Sequence, residues 1–223
     1  MAWTDNEIIL HQRSTMPSAD LFQAVCDEIG KHYIPKGFKY SRSRPKISLK
    51  DKQIKLEITF WSSRSNIPGR HINLEILPNF YSVELAKANK TKGFLFGHTA
   101  IFSHKYSENP KLQQVISIFG DVMEREVEYT RESEIRYYNS CNIYDINEFK
   151  FKRILEFIDE KIIPWFDKLK TIDGVLELTE NPSRRVIWSL NGKSSNSEFI
   201  EYCRLKFSGL SMEKRLDEKN NPA

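Results

Sequence analysis

The chain has 223 residues, a formal net charge of +4, 39% hydrophobic residues and 29% charged residues of mixed sign. This composition excludes a disordered or fibrous protein, and a length below roughly 250 residues favours one domain. No apolar run approaches the ~18 residues that cross a bilayer, and the acidic N-terminus is unlike a secretion signal. We therefore expect a cytoplasmic globular protein.

The cysteines and glycines indicate neither a disulfide framework nor a known cofactor site. Cys26, Cys141 and Cys203 are odd in number and far apart, without a C-x-x-C pair. The 9 glycines form no phosphate-binding loop, and no metal-binding histidine motif is present. The sequence accordingly predicts no cofactor and no metal site.

The first half of the chain predicts a helix followed by an antiparallel sheet. After an irregular arm over residues 1–17, Ser18 is an N-cap candidate for a helix that ends near Tyr33. Alternating apolar and polar residues then predict strands over residues 38–40, 47–49, 54–60 and 72–76. Because one side of each run is apolar, one face of the sheet is expected to be buried.

The middle of the chain carries weaker patterns. In order, they predict a short helix over 83–90, a strand over 94–102 that bends at Gly97, and sheet-edge strands over 135–138 and 142–144. Asn109 and Pro110 are typical of a helix start, and apolar residues at helical spacing follow as far as Val127. A helix of about four turns is therefore predicted there.

A long amphipathic helix precedes Pro164 and is the strongest helical pattern in the chain. Its apolar stripe comprises Phe151, Ile154, Leu155, Ile158 and Ile162. Asp145 and Glu148 have the spacing of a capping box at its start. Pro164 predicts a turn of the chain, after which Trp165 and Phe166 are expected to pack against the sheet.

The C-terminal part predicts two more helices, a strand and a flexible tail. The first helix covers residues 171–178, the strand 184–190 and the tail 213–223, while Ser195 and Glu198 form a capping box for the last helix. No repeat or linker divides the chain. We therefore expect residues 18–212 to form a single α+β domain, with an antiparallel sheet of about five to seven strands and helices packed mainly on one face.

A basic hairpin is the feature that points to a binding function. Between residues 36 and 55, eight Lys or Arg residues stand against a single acid, Asp51. Their spacing predicts a cationic solvent face, with Trp61 also directed outward. The candidate partner-binding residues are Arg42, Arg44, Lys46, Lys50, Lys52, Trp61, Arg64, Arg70 and His71. A tryptophan beside arginines is the composition of an interaction hot spot.

Several interpretations of this hairpin stay open. The favoured one is a protein partner; the alternative is nucleic acid, with a base stacked on Trp61 and the cations on phosphates. A third interpretation is that the hairpin is a solvent-exposed edge whose charges prevent aggregation. Trp61 would then be covered by a neighbouring helix or by the N-terminal arm. A homodimer is a further alternative, because a second copy's hairpin would be complementary to the acidic residues Glu124, Glu126, Glu128, Glu132 and Glu134.

A catalytic or metal site would have to be assembled from distant residues. His98 and His104 are expected on one face of the predicted strand, but no acid or third ligand lies near them in sequence. Cys141 is a candidate thiol, and Glu57 and Glu75 occupy the polar faces of adjacent predicted strands. Surface histidines, a structural cysteine and solvated acids are the simpler interpretations, so a non-enzymatic protein is favoured.

The order of elements over roughly residues 18–180 resembles a bacterial family. The features are a helix that leads into Gly37 and Phe38, the basic hairpin, and the late proline-aromatic run that begins at Pro164. They resemble domain-of-unknown-function family number 4304, for which no catalytic residues are assigned. Some relatives lie beside polymorphic-toxin or defence genes, so the resemblance implies an immunity or other partner-binding role. The basic hairpin departs from the acidic surface that nuclease inhibitors usually present.

Overall fold

The computed structural model describes residues 15–105, 112–126, 134–180 and 197–207. This part of the chain forms an α+β fold with two β-sheets and packed helices, as the sequence predicts. The predicted strand over 184–190, the helix start at Asn109, the C-terminal tail and most of the N-terminal arm lie outside the described residues. No helix in the described part is both long and apolar enough to span a membrane.

The strands and helices have the following bounds. The strands are β1 (Lys39–Ser41), β2 (Lys46–Lys50), β3 (Ile54–Trp61), β4 (Asn73–Ser82), β5 (Phe94–Gly97), β6 (Ser103–Lys105), β7 (Leu112–Ile116), β8 (Val122–Glu126), β9 (Glu134–Tyr137) and β10 (Ser140–Asn142). The α-helices are α1 (Ser18–Tyr33), α2 (Val83–Asn89), α3 (Thr99–Phe102), α4 (Glu148–Phe157), α5 (Pro164–Lys168), α6 (Ile172–Glu180) and α7 (Ser197–Lys206).

The larger sheet is a six-stranded antiparallel sheet that contains the strands predicted over residues 38–76, whereas the strand predicted over 94–102 ends at Gly97 and residues 99–102 are helical. Its order is β1-β2-β3-β4, and the far edge of β4 is shared by β10 at one end and β5 at the other. Along β3 and β4, buried residues alternate strictly with half-buried ones. This alternation confirms that one face of the sheet is buried.

Helices cover the apolar face of this sheet. The first helix, α1, places Leu21, Val25 and Ile29 in the core, where they have no solvent exposure. At the other end of the sheet, the ring of Phe199 on α7 contacts Phe96 of β5 edge to face. The predicted packing of helices mainly on one face is therefore confirmed.

The smaller sheet overturns the helix predicted over residues 112–127. Its order is β6-β9-β7-β8, and β7 and β8 form a hairpin. Gly120 adopts a φ of +91° in the connecting turn, a conformation that glycine reaches without strain. Ser117 Oγ accepts hydrogen bonds from the N–H groups of Phe119 and Asp121. The helical spacing of apolar residues was misleading, because β-branched residues on both sides of this turn favour strands.

The predicted caps of α1 and α4 are wrong in detail. Pro17 occupies the N-cap position of α1, and Ser18 Oγ is buried without a hydrogen-bond partner among the described residues. The cap of α4 is Asn147, whose Oδ1 accepts from the Lys150 N–H at 2.8 Å. Asp145 instead belongs to the preceding 3₁₀-helix, so it cannot cap α4.

The long amphipathic helix continues past its expected end. After α4 comes a π-helix, Ile158–Ile162, which has a wider turn. Tyr33 contacts the chain where this π-helix begins. The Tyr33 hydroxyl donates toward Leu155 O and Asp159 Oδ1 at 3.1 and 2.9 Å. Pro164 does not turn the chain, because it occupies the first position of α5, where a missing N–H is tolerated.

Candidate partner-binding surface

The outward face of the larger sheet is polar, and two of its strand lysines, Lys46 and Lys55, are neutralised locally. Lys46 and Lys55 each place Nζ 2.8 Å from Glu57 Oε1. Burial would raise the pKa of Glu57, but the hydrogen bonds from both lysines lower it below its usual value. Lys55 Nζ also lies 5.5 Å from the centre of the Tyr81 ring. The predicted binding residue Lys46 therefore has a partner within the sheet.

The predicted binding residues do not form one cationic face, because the β2–β3 register places them at opposite ends of these strands. Phe60 N donates to Pro45 O at 2.9 Å, which places Arg44 opposite Trp61. Lys50 lies about 13 Å further along β2 than Lys46, at ~3.3 Å per residue. We name two regions. The loop end comprises Arg44, Trp61, Arg64, Ile67, Arg70 and His71, and the turn end comprises Lys50, Asp51 and Lys52.

The loop end exposes two large apolar side chains among cations. Trp61 is 46% exposed and Ile67 is 51% exposed. Arg44, Arg64, Arg70 and His71 are also exposed, and no ion-pair partner for them appears among the described residues. Trp61 is thus not covered, which excludes the interpretation that a neighbouring element of the described chain shields it.

An acidic residue lies at the border of this surface. Glu75 stands opposite Trp61 on β4, on the side away from Arg44. The loop end contains three arginines and no acid, so this surface keeps a positive bias.

The loop between β3 and β4 is held by hydrogen bonds from its own residues. Ile67 and His71 exchange backbone hydrogen bonds of 2.7 and 2.9 Å, which close a small turn around Gly69. Asn66 donates to Ser62 Oγ and accepts from the N–H of Asn73. These bonds fix the positions of the side chains that flank the turn.

A second set of hydrogen bonds ties this loop to β10 and the 3₁₀-helix that follows it. The Gly69 N–H donates to the Tyr144 hydroxyl at 2.7 Å. Asn142 accepts from the Ile72 N–H at 3.0 Å and donates to Arg70 O at 3.1 Å. Because the loop is already ordered, a partner would lose little entropy in ordering it.

Arg42 holds the fold together and is not part of the loop end. Its Nε lies 3.0 and 3.3 Å from the two carboxylate oxygens of Asp27 on α1. Tyr40 also donates to Asp27, and Gln23 donates to both Tyr40 and Asp27. Burial, followed by the bond to Asp27, raises the pKa of Tyr40. Arg42 therefore anchors the β1–β2 turn to α1.

The turn end is bound to the helices through its single acid. Asp51 Oδ1 accepts from the N–H groups of Gln53 and Ile54, and Oδ2 lies 2.7 Å from Lys170 Nζ. Burial would raise the pKa of Asp51, but the Lys170 and backbone hydrogen bonds lower it. Lys50 and Lys52 are exposed on either side of this anchor. The turn end contains no apolar side chain, so we interpret Lys50 and Lys52 as solvated charges.

The candidate catalytic residues do not form a reactive site. Cys141 lies opposite Leu74 on the core side, and burial raises the pKa of its thiol to about 12. His98 follows β5, where burial lowers its pKa and the Glu75 carboxylate opposes that shift. Burial thus disfavours the thiolate form of Cys141, which is the form that would act as a nucleophile.

The expected pairings among histidines and acids are also wrong. His98 and His104 do not share a strand face, because α3 separates β5 from β6 and the two strands belong to different sheets. Glu57 stands opposite Asn79 and Glu75 opposite Trp61, so these carboxylates do not face each other. No group of three or more potential metal ligands occurs among the described residues.

Sequence reasoning missed Ile67 and the residues that hold its loop. The run from Asn66 to Gly69 indicates a turn, but nothing local shows that Asn142 and Tyr144, more than seventy positions away, would fix it. Comparison of the chain with protein-family models, curated proteins and solved structures finds no match.

Proposed function

We propose that the protein is a non-enzymatic binding protein that recognises an acidic protein partner through the loop end. The observation that supports this proposal is the exposure of Trp61 and Ile67 on a surface that also carries Arg44, Arg64 and Arg70, for which no ion-pair partner appears among the described residues. Aromatic anchors and arginines are the residue types that dominate binding energy at protein interfaces. The apolar pair would supply affinity, and the arginines would select an acidic partner and speed its association.

The proposal includes a cellular setting taken from the sequence. The family resemblance is the basis on which we propose a bacterial source and a cytoplasmic setting. That resemblance suggests a toxin as the partner and neutralisation as the role. An acidic contact surface on the toxin would account for the basic character of the loop end.

The test compares two bait proteins of equal charge change. One carries Arg44→Glu and Arg70→Glu at the loop end, and the matched control carries Lys50→Glu and Lys52→Glu at the turn end. Each bait, and the wild type, captures partners from an extract of the source cell with and without nuclease. We expect one stoichiometric protein on the wild type and the turn-end variant, and its loss from the loop-end variant.

Two other outcomes overturn the proposal. Equal capture by both variants would remove the loop end from the function. Material that disappears after nuclease treatment would show that the cations contact phosphates, which is the nucleic-acid alternative. In that case the affinity should fall steeply with salt, by a slope set by the number of phosphate contacts.

A further inference from the structure

The outer strand of the smaller sheet, β8, has a neighbour on one side only among the described strands. Its register with β7 runs from Leu112↔Glu126 to Ile116↔Val122. Beyond that pair, Ser117 N donates to Asp121 O at 2.8 Å, so Asp121 directs its backbone toward β7. Hydrogen-bonding direction alternates along a strand, so Met123 also points toward β7. The backbone groups of Val122 and Glu124 point away from the sheet.

The exposed side chains of β8 match those of an interface. Val122 is 58% exposed and Met123 is 49% exposed, although both are large and apolar. An edge strand with unpaired backbone groups and apolar side chains is a template for another strand. The acidic residue Glu124 receives a hydrogen bond from Gln114 at 2.8 Å, so part of its charge is already engaged within the hairpin.

We propose that the protein forms a two-fold symmetric dimer in which β8 pairs antiparallel with β8 of a second copy. With Met123 on the two-fold axis, Val122 of each copy exchanges both backbone hydrogen bonds with Glu124 of the other. Asp121 then stands opposite Arg125 of the second copy, and the symmetry repeats this pair. Met123 packs against its own equivalent at the close, non-hydrogen-bonded spacing of about 4.5 Å between Cα atoms.

Charge complementarity selects this register over its two neighbours. A register centred on Glu124 would place two glutamates opposite each other, which is destabilising. A register centred on Val122 would require Gly120, in the turn at φ +91°, to continue the strand. Only the register centred on Met123 combines outward backbone groups, an apolar contact and opposite charges.

The dimer would join two four-stranded sheets into one continuous sheet. The strand is short, so the contact area falls below the roughly 800 Å² per partner of a standard complex. The association is therefore expected to be reversible and concentration-dependent. Since β8 does not belong to the loop end, the dimer does not depend on the proposed partner.

Sedimentation velocity over a concentration series tests the ion pairs. Arg125→Asp alone places two acids opposite each other. The reverse change, Asp121→Arg, places two bases opposite each other. Each single variant should weaken dimerisation about tenfold or more. The double variant with both changes restores the opposite charges and should dimerise like the wild type. An equimolar mixture of the two single variants should form the mixed dimer.

A backbone variant tests the strand pairing itself. Val122→Pro removes an outward N–H without breaking the β7–β8 ladder, because proline is tolerated on an edge strand whose N–H faces solvent. This variant should be monomeric with an unchanged melting temperature. Lys87→Asp, on exposed α2, makes the same charge change as Arg125→Asp and should leave dimerisation unaltered.

Three results would overturn the dimer. The first is a wild type that remains monomeric at its highest soluble concentration. The second is an Arg125→Asp variant that dimerises as strongly as the wild type. The third is a mixture of the two single variants that contains no mixed dimer.

Discussion

The two ends of the β2–β3 hairpin carry the same kind of charge and differ in what surrounds it. At the turn end, Asp51 links the chain to Lys170, and the adjacent lysines are exposed. At the loop end, the arginines stand beside Trp61 and Ile67, which expose about half of their surface. Counting cations along the sequence therefore cannot separate a binding surface from a solvated edge, whereas the exposed apolar neighbours can.

The difference also concerns what holds each end in place. The turn end is stabilised by an ionised side chain, and the loop end by neutral hydrogen bonds from Asn142 and Tyr144. A change at the turn end should therefore affect folding stability and leave binding intact. A change to the loop anchors should weaken binding and also reduce stability, because it leaves the N–H of the buried residue Ile72 without its acceptor.

The largest expected effect on stability comes from Asp51→Ala. This change leaves the N–H groups of Gln53 and Ile54 without their acceptor and removes one partner of Lys170. The side chain is 37% exposed, so solvent screening limits the loss in free energy of unfolding to about 2 kcal/mol. Urea denaturation measures it. The control Asp167→Ala, which removes only the other Lys170 contact, should lose much less. Equal losses of stability in the two variants would show that the hydrogen bonds from the Gln53 and Ile54 N–H groups to Asp51 do not contribute to stability.

Asn142→Ala should weaken partner binding about tenfold, which corresponds to about 1.4 kcal/mol. The variant frees the Ile72 N–H and Arg70 O, so the loop must be ordered on binding. Titration calorimetry with the captured partner measures the change. Asn139→Ala, which removes a comparable bond to Ile76 O at 2.8 Å, serves as the control. If both variants bind equally, preorganisation of the loop is not what supports affinity.

The turn end should also set a pH dependence. The pKa of Asp51 is lower in the folded state, so its stabilising contribution is fully present above the unfolded value of about 3.9. The contribution is lost as the pH falls through the folded pKa. The stability difference between wild type and Asp51→Asn should therefore shrink below about pH 4. A difference that stays constant down to acid unfolding would assign the contribution to hydrogen bonds that do not require the charge.

The smallest expected effect is that of Lys52→Glu. The side chain is exposed at the turn end, so its reversal should change the free energy of unfolding by less than about 0.5 kcal/mol. Partner affinity should stay within about twofold of the wild type, because long-range charge effects are screened at physiological salt. A larger loss of affinity would extend the binding surface along β2 to the turn end.

Local patterns predict the parts of the fold in which propensity and periodicity agree. The first helix and strands β2 and β3 follow from helical spacing and from strict apolar alternation, and their bounds agree to within a few residues, whereas β4 continues six residues past the end predicted at residue 76. The helix predicted over 112–127 failed because its apolar residues also fit a hairpin whose turn contains Gly120. There the periodicity was ambiguous, and the pairing of β7 with both β8 and β9 accompanies the strand conformation.

The sequence by itself determined the α+β class, the buried face of the larger sheet and the presence of a basic hairpin with an outward tryptophan. These follow from interactions between residues close in the chain, which periodicity records. Only the tertiary structure decided that Arg42 and Lys46 are engaged by acids and that Ile67 is exposed beside Trp61. It also decided that Asn142 fixes their loop. The contacts of Asn142 join residues 70 or more positions apart, and the exposure of a side chain depends on the whole fold, so local pattern does not encode them.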